Sequence, residues 1–536
     1  MAMRAASPRG IAGGRGAERG GAAAIATAFP CATTAGLDIL RGGGNAVDAA
    51  VAAAWALCVC EPSASGLGGQ TVLLVHDADG QTTVIDGHSC APAAASLWTI
   101  SPSEQRRGYR AATIPTTPAT LDWAQRKYGG LSRQQVMAPA IRIAEAGYPI
   151  TALQHRQARW VADHLRASSA AELFMPENVP PPVGFMFRQP ELAATLRRLA
   201  EQGIEDFYRG ALAREIANDM RSHGGLITDQ DLAGCGPPAE RAPISTTYGG
   251  FRVLTVPPPG GGAQLLAALN VLARLAPEGC EEDRRQAIAL ATSAVFRERD
   301  LNPFAPLDPA GDDEGSPLSA AYARRLAAGI SARRDEALRV TQPAEEPGDT
   351  THLSVCDRHG NIVLLTQSIQ SVFGAKVAHR RLGFLYNNYL CTCPRTPHEH
   401  ALRGGCRPRS NVSPTLVMGT GAGRGRPVLA LGAAGSRRII SALLQVVIGV
   451  LDRDLDVAEA VAAPRVHGLR GRKVWIERPA ASEELLDRLQ RRGREPIVKP
   501  ARDFAMGSVQ ALRLFPDGSV RGAADPRRDG TAEVIP

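Results

Sequence analysis

Two predicted strands place hydroxyl side chains where one could act as a nucleophile and the other as its partner. The strands span residues 350–356 and 361–368, and the connecting segment 357–360 begins with Asp and ends with Gly. These turn residues favour a type I turn with a glycine bulge, which fixes the pairing of the two strands. Counting outward from the turn sets Thr350 opposite Ser368.

The segment that precedes Thr350 gives this pair its significance, because a strand face rich in hydroxyls is otherwise ordinary. Residues 333–349 lose apolar periodicity, so we expect them to be exposed, mobile and tolerant of cleavage. A cut between Asp349 and Thr350 would free an α-amine with a pKa of roughly 7.7 to 8, which could accept the hydroxyl proton. Ser368 would orient the nucleophile, and the period of the strand puts Thr366 on the same face.

A glycine-rich turn offers donors for an oxyanion. Residues 432–436 read Gly-Ala-Ala-Gly-Ser and lie between a predicted strand and a predicted helix. Backbone N–H groups at a helix start have no partner within the helix and can stabilise a tetrahedral intermediate. We assign this role to the amides of Gly435 and Ser436.

Composition and charge exclude several other classes of protein. The 536 residues are 44% hydrophobic, which allows a large core, and the net charge of +8 comes from arginines scattered among acidic residues. This scatter argues against nucleic-acid binding. The longest uncharged apolar run, residues 49–60, is too short to cross a bilayer, and residues 1–20 lack the apolar core of a secretory signal. We therefore expect a cytoplasmic protein whose ten cysteines are reduced thiols.

The order of predicted elements indicates an α+β protein. Helices are expected at 33–41, from Asn45 to residue 58, over much of 117–329, and at 436–451. Strands are expected at 71–75, 82–85, 251–256 and 428–431, with a hairpin near 515–518.

Further motifs follow in order along the chain, at residues 43–50, 61–69, 128–130, 137–141, 350–352, 366–368, 373–374, 387–388, 413–415, 438–440 and 525–527. With these motifs, the chain resembles the gamma-glutamyltranspeptidase family from about Ala22 to its C-terminus. The resemblance implies a four-layer αββα fold of the N-terminal-nucleophile hydrolases, with Thr350 as nucleophile and no metal or organic cofactor. It implies self-cleavage into a large subunit, 21–349, and a small subunit, 350–536. From its composition, we expect the stretch 1–20 to be a disordered tail.

The expected reaction follows from the same resemblance. Thr350 would attack a gamma-glutamyl or related acyl amide, and the acyl-enzyme would be released to water or an amine. The substrate is then a small acyl amide or peptide-like molecule, and neither nucleic acid nor a membrane is a partner. The resemblance places the substrate pocket at Thr366, Gln370, Tyr389, Thr392, Ser410 and Asn411.

Two charged contacts of the glutathione-using family members are missing from this chain. Leu97 stands where they have an arginine for the substrate α-carboxylate, and Thr392 stands where they have an aspartate for the α-amino group. Each charge-assisted contact contributes about 1.5–3 kcal/mol, so we expect weaker glutathione recognition. Arg407 or Arg409 is the candidate for a relocated carboxylate contact.

Three alternatives remain open from the sequence. The same machinery could hydrolyse another amide, or a carbon–carbon bond beside a keto acid, in specialised metabolism. The altered pocket also fits an uncleaved, non-catalytic binding homologue. A zinc site is the third alternative, with Cys391, Cys393, His398, His400 and Cys406 as its ligands.

Overall fold

Two antiparallel sheets form the centre of the structure, which is a computed structural model. It describes residues 23–276, 279–301, 315–332, 348–420, 425–469 and 471–535. The strands in these ranges are β1 (Ala23–Thr27), β2 (Gln70–His76), β3 (Thr82–Gly87), β4 (Tyr148–Pro149), β5 (Met186–Phe187), β6 (Ala239–Arg241), β7 (Ile244–Tyr248), β8 (Phe251–Thr255), β9 (Thr351–Cys356), β10 (Ile362–Ser368), β11 (Ala378–His379), β12 (Phe384–Leu385), β13 (Thr415–Gly419), β14 (Pro427–Ala434), β15 (Val466–Gly468), β16 (Lys473–Glu477), β17 (Glu495–Lys499), β18 (Ser508–Leu514), β19 (Val520–Ala524) and β20 (Thr531–Ile535).

Helices cover the outer faces of both sheets. The α-helices in the described ranges are α1 (Pro30–Arg41), α2 (Ala46–Cys60), α3 (Thr117–Tyr128), α4 (Arg133–Ala146), α5 (Ala152–Trp160), α6 (Ala162–Arg166), α7 (Ala171–Phe174), α8 (Pro190–Gln202), α9 (Glu205–Tyr208), α10 (Ala211–Ser222), α11 (Asp229–Ala233), α12 (Gly262–Leu275), α13 (Glu281–Leu301), α14 (Ala320–Ser331), α15 (Arg438–Leu451), α16 (Val457–Ala462) and α17 (Glu483–Arg491).

The two large sheets face each other across a shared core. The first has the strand order β20-β1-β9-β10-β2-β3-β6, and the second has the order β19-β18-β14-β13-β8-β7. Apolar side chains from both sheets, among them Ala26, Leu364, Leu416 and Leu512, fill the space between them. Helix α2 packs against β9 and β10, and α15 packs against β14. The resulting layers confirm the αββα prediction.

Helix α2 shows how the sequence builds one outer layer. The side chain of Asn45 accepts hydrogen bonds from the amides of Val47 and Asp48, and the Asp48 side chain accepts one from the Asn45 amide. This reciprocal capping box satisfies donors at the helix start. Because every residue of α2 is buried, the helix is apolar on all sides, as expected for one that lies between a sheet and other helices.

The hairpin of β9 and β10 has the predicted register. The amide of Asp357 donates to the carbonyl of Asn361 over 3.0 Å, and Gly360 has a φ of 89°, the left-handed conformation that glycine favours. Thr351 pairs with Gln367 at the open end of the hairpin. The next pair outward is Thr350 with Ser368, as predicted.

The expectation of an exposed segment before Thr350 is wrong at its last two residues. Gly348 and Asp349 are buried, because Gly348 forms a β-bridge with Ser371 and the amide of Asp349 donates to the carbonyl of Gln370 over 2.9 Å. The predictions for residues 1–20 and 333–347 lie outside the described residues. Over the described ranges, none of the helices combines the length and apolar character that a bilayer crossing requires.

Candidate active site

The hydroxyls of Thr350 and Ser368 meet at the peptide bond that precedes Thr350. Thr350 Oγ1 lies 3.2 Å from Ser368 Oγ, and each hydroxyl donates to the carbonyl oxygen of Asp349, over 2.6 Å and 2.9 Å respectively. The amide of Gln370 donates to Ser368 Oγ over 2.9 Å and holds that side chain in place. Both hydroxyls are therefore positioned to act on the carbonyl of the predicted cleavage site.

The carboxylate of Asp349 is held by buried donors. Its Oδ1 pairs with Arg528 Nη1 at 2.5 Å and accepts the Thr350 amide over 2.9 Å. Its Oδ2 accepts Gln157 Nε2 over 2.8 Å and lies 3.3 Å from Ser63 Oγ. Sequence reasoning missed Ser63, Gln157 and Arg528 as site residues, because they come from three distant segments with no common motif. These contacts hold both carboxylate oxygens of Asp349 in place.

A second buried carboxyl group lies beside the same arginine. Glu61 Oε1 is 3.6 Å from Arg528 Nη1, and Glu61 is 5% exposed. Burial raises the pKa of Glu61 to about 8, Arg528 opposes the shift, and the negative charge of Asp349 adds to it. At neutral pH Glu61 is thus largely protonated, and the closer contact of Arg528 Nη1 is the one to Asp349.

The glycine-rich turn lies against the chain just before the cleavage site. Strand β14 extends through Ala434, so the turn consists of Gly435 and Ser436, whose φ values are 121° and 56°. A Cβ atom on Gly348 would lie 2.6 Å from Ser436 Cβ. Glycine at 348 therefore allows the chain to pass directly over the proposed oxyanion donors.

Tyr389 lies near the Ser368 hydroxyl and near Ser410. The Tyr389 hydroxyl lies among Ser368, Ser410 and Gln70. Burial raises the pKa of Tyr389 to about 12, and hydrogen bonds with these three side chains oppose that increase. Tyr389 is 1% exposed, so its side chain is screened from solvent. The structure thus places Tyr389 and Ser410, two of the predicted pocket residues, close to Ser368.

Arg407 and Arg409, the two candidates for a relocated carboxylate contact, each pair with a carboxylate of the protein. Arg407 Nη2 pairs with Asp86 at 2.7 Å, and Arg409 Nη1 pairs with Asp300 at 3.1 Å. These carboxylates were not recognised as partners, because they lie far away in sequence.

The remaining pocket residues are held mainly by contacts within the protein. Asn411 Oδ1 accepts Arg299 Nη1 over 2.9 Å, and the Thr392 hydroxyl donates to the carbonyl of Tyr389 over 3.0 Å. Gln370 reaches the cleavage site through its backbone, with a φ of 82°. Leu97 packs against a small apolar cluster that includes Cys393.

Thr366 lies deeper between the sheets than the prediction implied. Its Oγ1 is 2.8 Å from His352 Nδ1, while His352 Nε2 is 3.1 Å from Ser354 Oγ. The imidazole lies against Gly432, where a Cβ atom would be 2.1 Å from the ring. Burial lowers the pKa of His352 to about 3, so the ring is neutral and contributes to packing between the sheets.

The five candidate zinc ligands do not converge. Cys393 and Cys406 have Sγ atoms 3.6 Å apart, but the described residues contain no group of three or more His, Cys, Asp or Glu side chains that could hold a metal ion. His400 Nδ1 instead contacts the carbonyl of Arg407 at 2.7 Å. The geometry contradicts the zinc hypothesis for these residues.

The fold and the site together define the class of protein. The fold consists of two facing sheets between helical layers. At the start of one strand, the hydroxyl of a threonine contacts the carbonyl oxygen of the residue before it. These features are those of an N-terminal-nucleophile hydrolase. The family model for gamma-glutamyltranspeptidase matches residues 32–535, and the chain belongs to this family.

Known relatives agree with this assignment. A glutathione hydrolase proenzyme from Escherichia coli (strain K12) is 32% identical, over 94% of this chain and 90% of the relative. Acylase ACY 1 proenzyme from Pseudomonas sp. (strain V22) is also 32% identical, over 95% and 93%. The crystal structure of cephalosporin acylase from Bacillus halodurans superimposes with a TM-score of 0.83 at 28% identity and covers 99% of both chains. The protein is a gamma-glutamyltransferase-like enzyme of the N-terminal-nucleophile hydrolase class.

Proposed function

We propose that the chain cleaves itself between Asp349 and Thr350 and then uses Thr350 to hydrolyse or transfer the acyl group of a small amide. The observation that carries the proposal is the convergence of the Thr350 and Ser368 hydroxyls on the Asp349 carbonyl oxygen. Hydrogen bonds to that oxygen polarise the carbonyl and stabilise the negative charge that develops during attack.

Self-cleavage proceeds as an N-to-O acyl shift. Thr350 Oγ1 forms a bond to the carbonyl carbon of Asp349, the bond from that carbon to the Thr350 nitrogen breaks, and the hydroxyl proton ends on the nitrogen. Water then hydrolyses the resulting ester, which gives a carboxylic acid at Asp349 and restores the Thr350 hydroxyl. Ser368 donates to the same oxygen throughout, and this contact explains its position.

Turnover repeats this chemistry on an external amide. The freed α-amine of Thr350 takes the hydroxyl proton as Oγ1 attacks the substrate carbonyl, and the same proton leaves with the amine product. Water or an acceptor amine then releases the acyl group from the ester. The amides of Gly435 and Ser436, from which residue 348 withdraws after cleavage, are the proposed oxyanion donors.

The two subunits should remain associated, because strands from both sides of the cut pair within each sheet. Strand β9 pairs with β1, and β10 pairs with β2, in the first sheet. Strand β13 pairs with β8 in the second sheet. Separation would therefore expose both the central core and the backbone groups of these strands.

The substrate is an acyl amide, for which a gamma-glutamyl group is one candidate. The absence of the family's arginine at Leu97 and of its aspartate at Thr392 favours an acyl group other than gamma-glutamyl, as the acylase relatives illustrate. A test compares 4-nitroanilides of gamma-glutamate and of simple carboxylic acids with the purified protein. Nitroaniline release from a simple acyl group that exceeds release from gamma-glutamate supports the acylase interpretation.

Cleavage itself is tested on a denaturing gel. Wild-type protein should separate into fragments 1–349 and 350–536, while Thr350→Ala should stay full length and inactive. Thr350→Ser keeps a hydroxyl and should still cleave. A wild-type chain that stays uncut and shows no amide hydrolysis would instead favour the non-catalytic alternative.

A further inference from the structure

The side chain before the cleavage site occupies a buried carboxylate-binding cluster. Before the cut, the carboxylate of Asp349 is contacted by Arg528 at 2.5 Å, Gln157 at 2.8 Å and Ser63 at 3.3 Å. All three residues belong to the folded scaffold, and none is more than 7% exposed. Self-cleavage breaks the bond from Asp349 to Thr350 and leaves Asp349 at a chain end, where the bridge of Gly348 to Ser371 and the hydrogen bond of the Asp349 amide to Gln370 are the remaining backbone contacts that it must break to leave.

Arg528 has further capacity to bind an anion. Its side chain is 1% exposed, and within the described ranges neither Nε nor Nη2 has a hydrogen-bond acceptor. Its guanidinium stacks on Phe504 at 4.5 Å, which leaves the edge of the planar group for hydrogen bonds. A buried cation without its balancing anion is costly, so loss of Asp349 creates a demand for another negative charge.

The nearby carboxyl groups meet this demand poorly. Glu61 Oε1 lies 3.6 Å from Arg528 Nη1, which is longer than a close charge-assisted hydrogen bond. Asp529 also faces Arg528, yet it accepts the Thr151 hydroxyl over 2.7 Å, and burial raises its pKa as well. An entering carboxylate would contact Gln157 and Ser63 in addition to Arg528, and neither native carboxyl group makes those contacts.

The position of Asp349 also defines the spacing of the ligand. In the acyl shift, the aspartyl residue becomes an ester on Thr350, the same kind of intermediate that an external substrate forms. Its carboxylate is separated from the reacting carbonyl by two carbon atoms, as in a succinyl group. The precursor therefore shows where the carboxylate of a succinyl group on Thr350 would lie.

We propose that Arg528, Gln157 and Ser63 form an acyl-carboxylate subsite in the cleaved enzyme, so that monoamides of dicarboxylic acids with succinyl-like spacing are its preferred acyl donors. This proposal rests on the proposed function, since it requires Thr350 to form acyl esters. It supplies a charged contact for the acyl group that is distinct from the missing arginine at Leu97.

The test compares two substrates of equal chain length on the cleaved enzyme. Succinyl-4-nitroanilide carries the carboxylate and butyryl-4-nitroanilide does not. The ratio of their kcat/KM values should favour the succinyl compound by about tenfold to a hundredfold, the range expected for one charge-assisted hydrogen bond. Because both substrates are measured on the same preparation, the fraction of cleaved protein cancels from the ratio.

Variants then locate the contact. Gln157→Leu should lower the ratio about tenfold, and so should Arg528→Gln if that variant cleaves. Gln202→Leu, at an exposed position on α8, makes the same change away from the subsite and should keep the wild-type ratio. A wild-type ratio near one, or a ratio unchanged by Gln157→Leu, overturns the subsite.

The two proposals fail in different ways. Hydrolysis of butyryl-4-nitroanilide that depends on Thr350, without a preference for the succinyl compound, contradicts only the subsite. Nitroaniline release that is the same in wild type and Thr350→Ala contradicts the proposed function itself.

Discussion

Ser368→Ala should slow self-cleavage far more than removal of another buried serine hydroxyl. Ser368 Oγ contacts Asp349 O at 2.9 Å, Thr350 Oγ1 at 3.2 Å and the Gln370 amide at 2.9 Å. The Gln370 contact is the same before and during attack, so its loss affects stability but not the rate. The contact to the carbonyl oxygen strengthens as that oxygen becomes negative, and its loss should cost about 2–4 kcal/mol.

That cost corresponds to a rate about thirtyfold to a thousandfold lower. The assay follows the disappearance of the full-length band on a denaturing gel after purification of the precursor. Ser65→Ala is the matched control, because Ser65 Oγ is equally buried but donates to the carbonyl of Leu57 over 3.0 Å. Ser368→Thr keeps the hydroxyl and should retain part of the rate. If the Ser368→Ala precursor cleaves at a rate within threefold of the Ser65→Ala precursor, Ser368 does not stabilise the charge that develops on the Asp349 carbonyl oxygen.

Two further predictions concern the precursor. Gly348→Ala should slow cleavage, since its Cβ would lie 2.6 Å from Ser436 Cβ, while Gly236→Ala, which meets no atom within 4 Å, should cleave normally on the same gel. The pKa of Glu61 is raised from 4.5 to about 8, so the folded precursor holds a proton that the unfolded chain releases, and stability should fall as pH rises through this window. Glu61→Gln in the Thr350→Ala background should flatten this decline in thermal unfolding; an unchanged slope contradicts the assignment.

The fold was predictable where local sequence determines it. Asn45 and Asp48 cap α2 with their own side chains, and the turn at residues 357–360 sets the register that brings Thr350 opposite Ser368. In both cases the decisive contacts span only a few residues, so the pattern is visible in the sequence.

The surroundings of the cleavage site were not predictable in the same way. Ser63, Gln157 and Arg528 meet at Asp349 only through the tertiary fold, and although Ser63 lies in the 61–69 motif, nothing in that motif indicates which residues it contacts. The burial of Asp349 was missed for the same reason, because polar composition predicts exposure unless buried partners are known. The ion pair of Arg409 with Asp300 of α13 was not predictable either, because the two residues are far apart in the sequence.

The most direct test of the central claim is peptide mapping of active enzyme by mass spectrometry, after a brief incubation with a slowly hydrolysed acyl amide. We predict a small subunit that begins at Thr350 and carries the acyl mass on that residue. Active protein with an intact Asp349–Thr350 bond, or with the acyl group on another residue, would contradict this prediction.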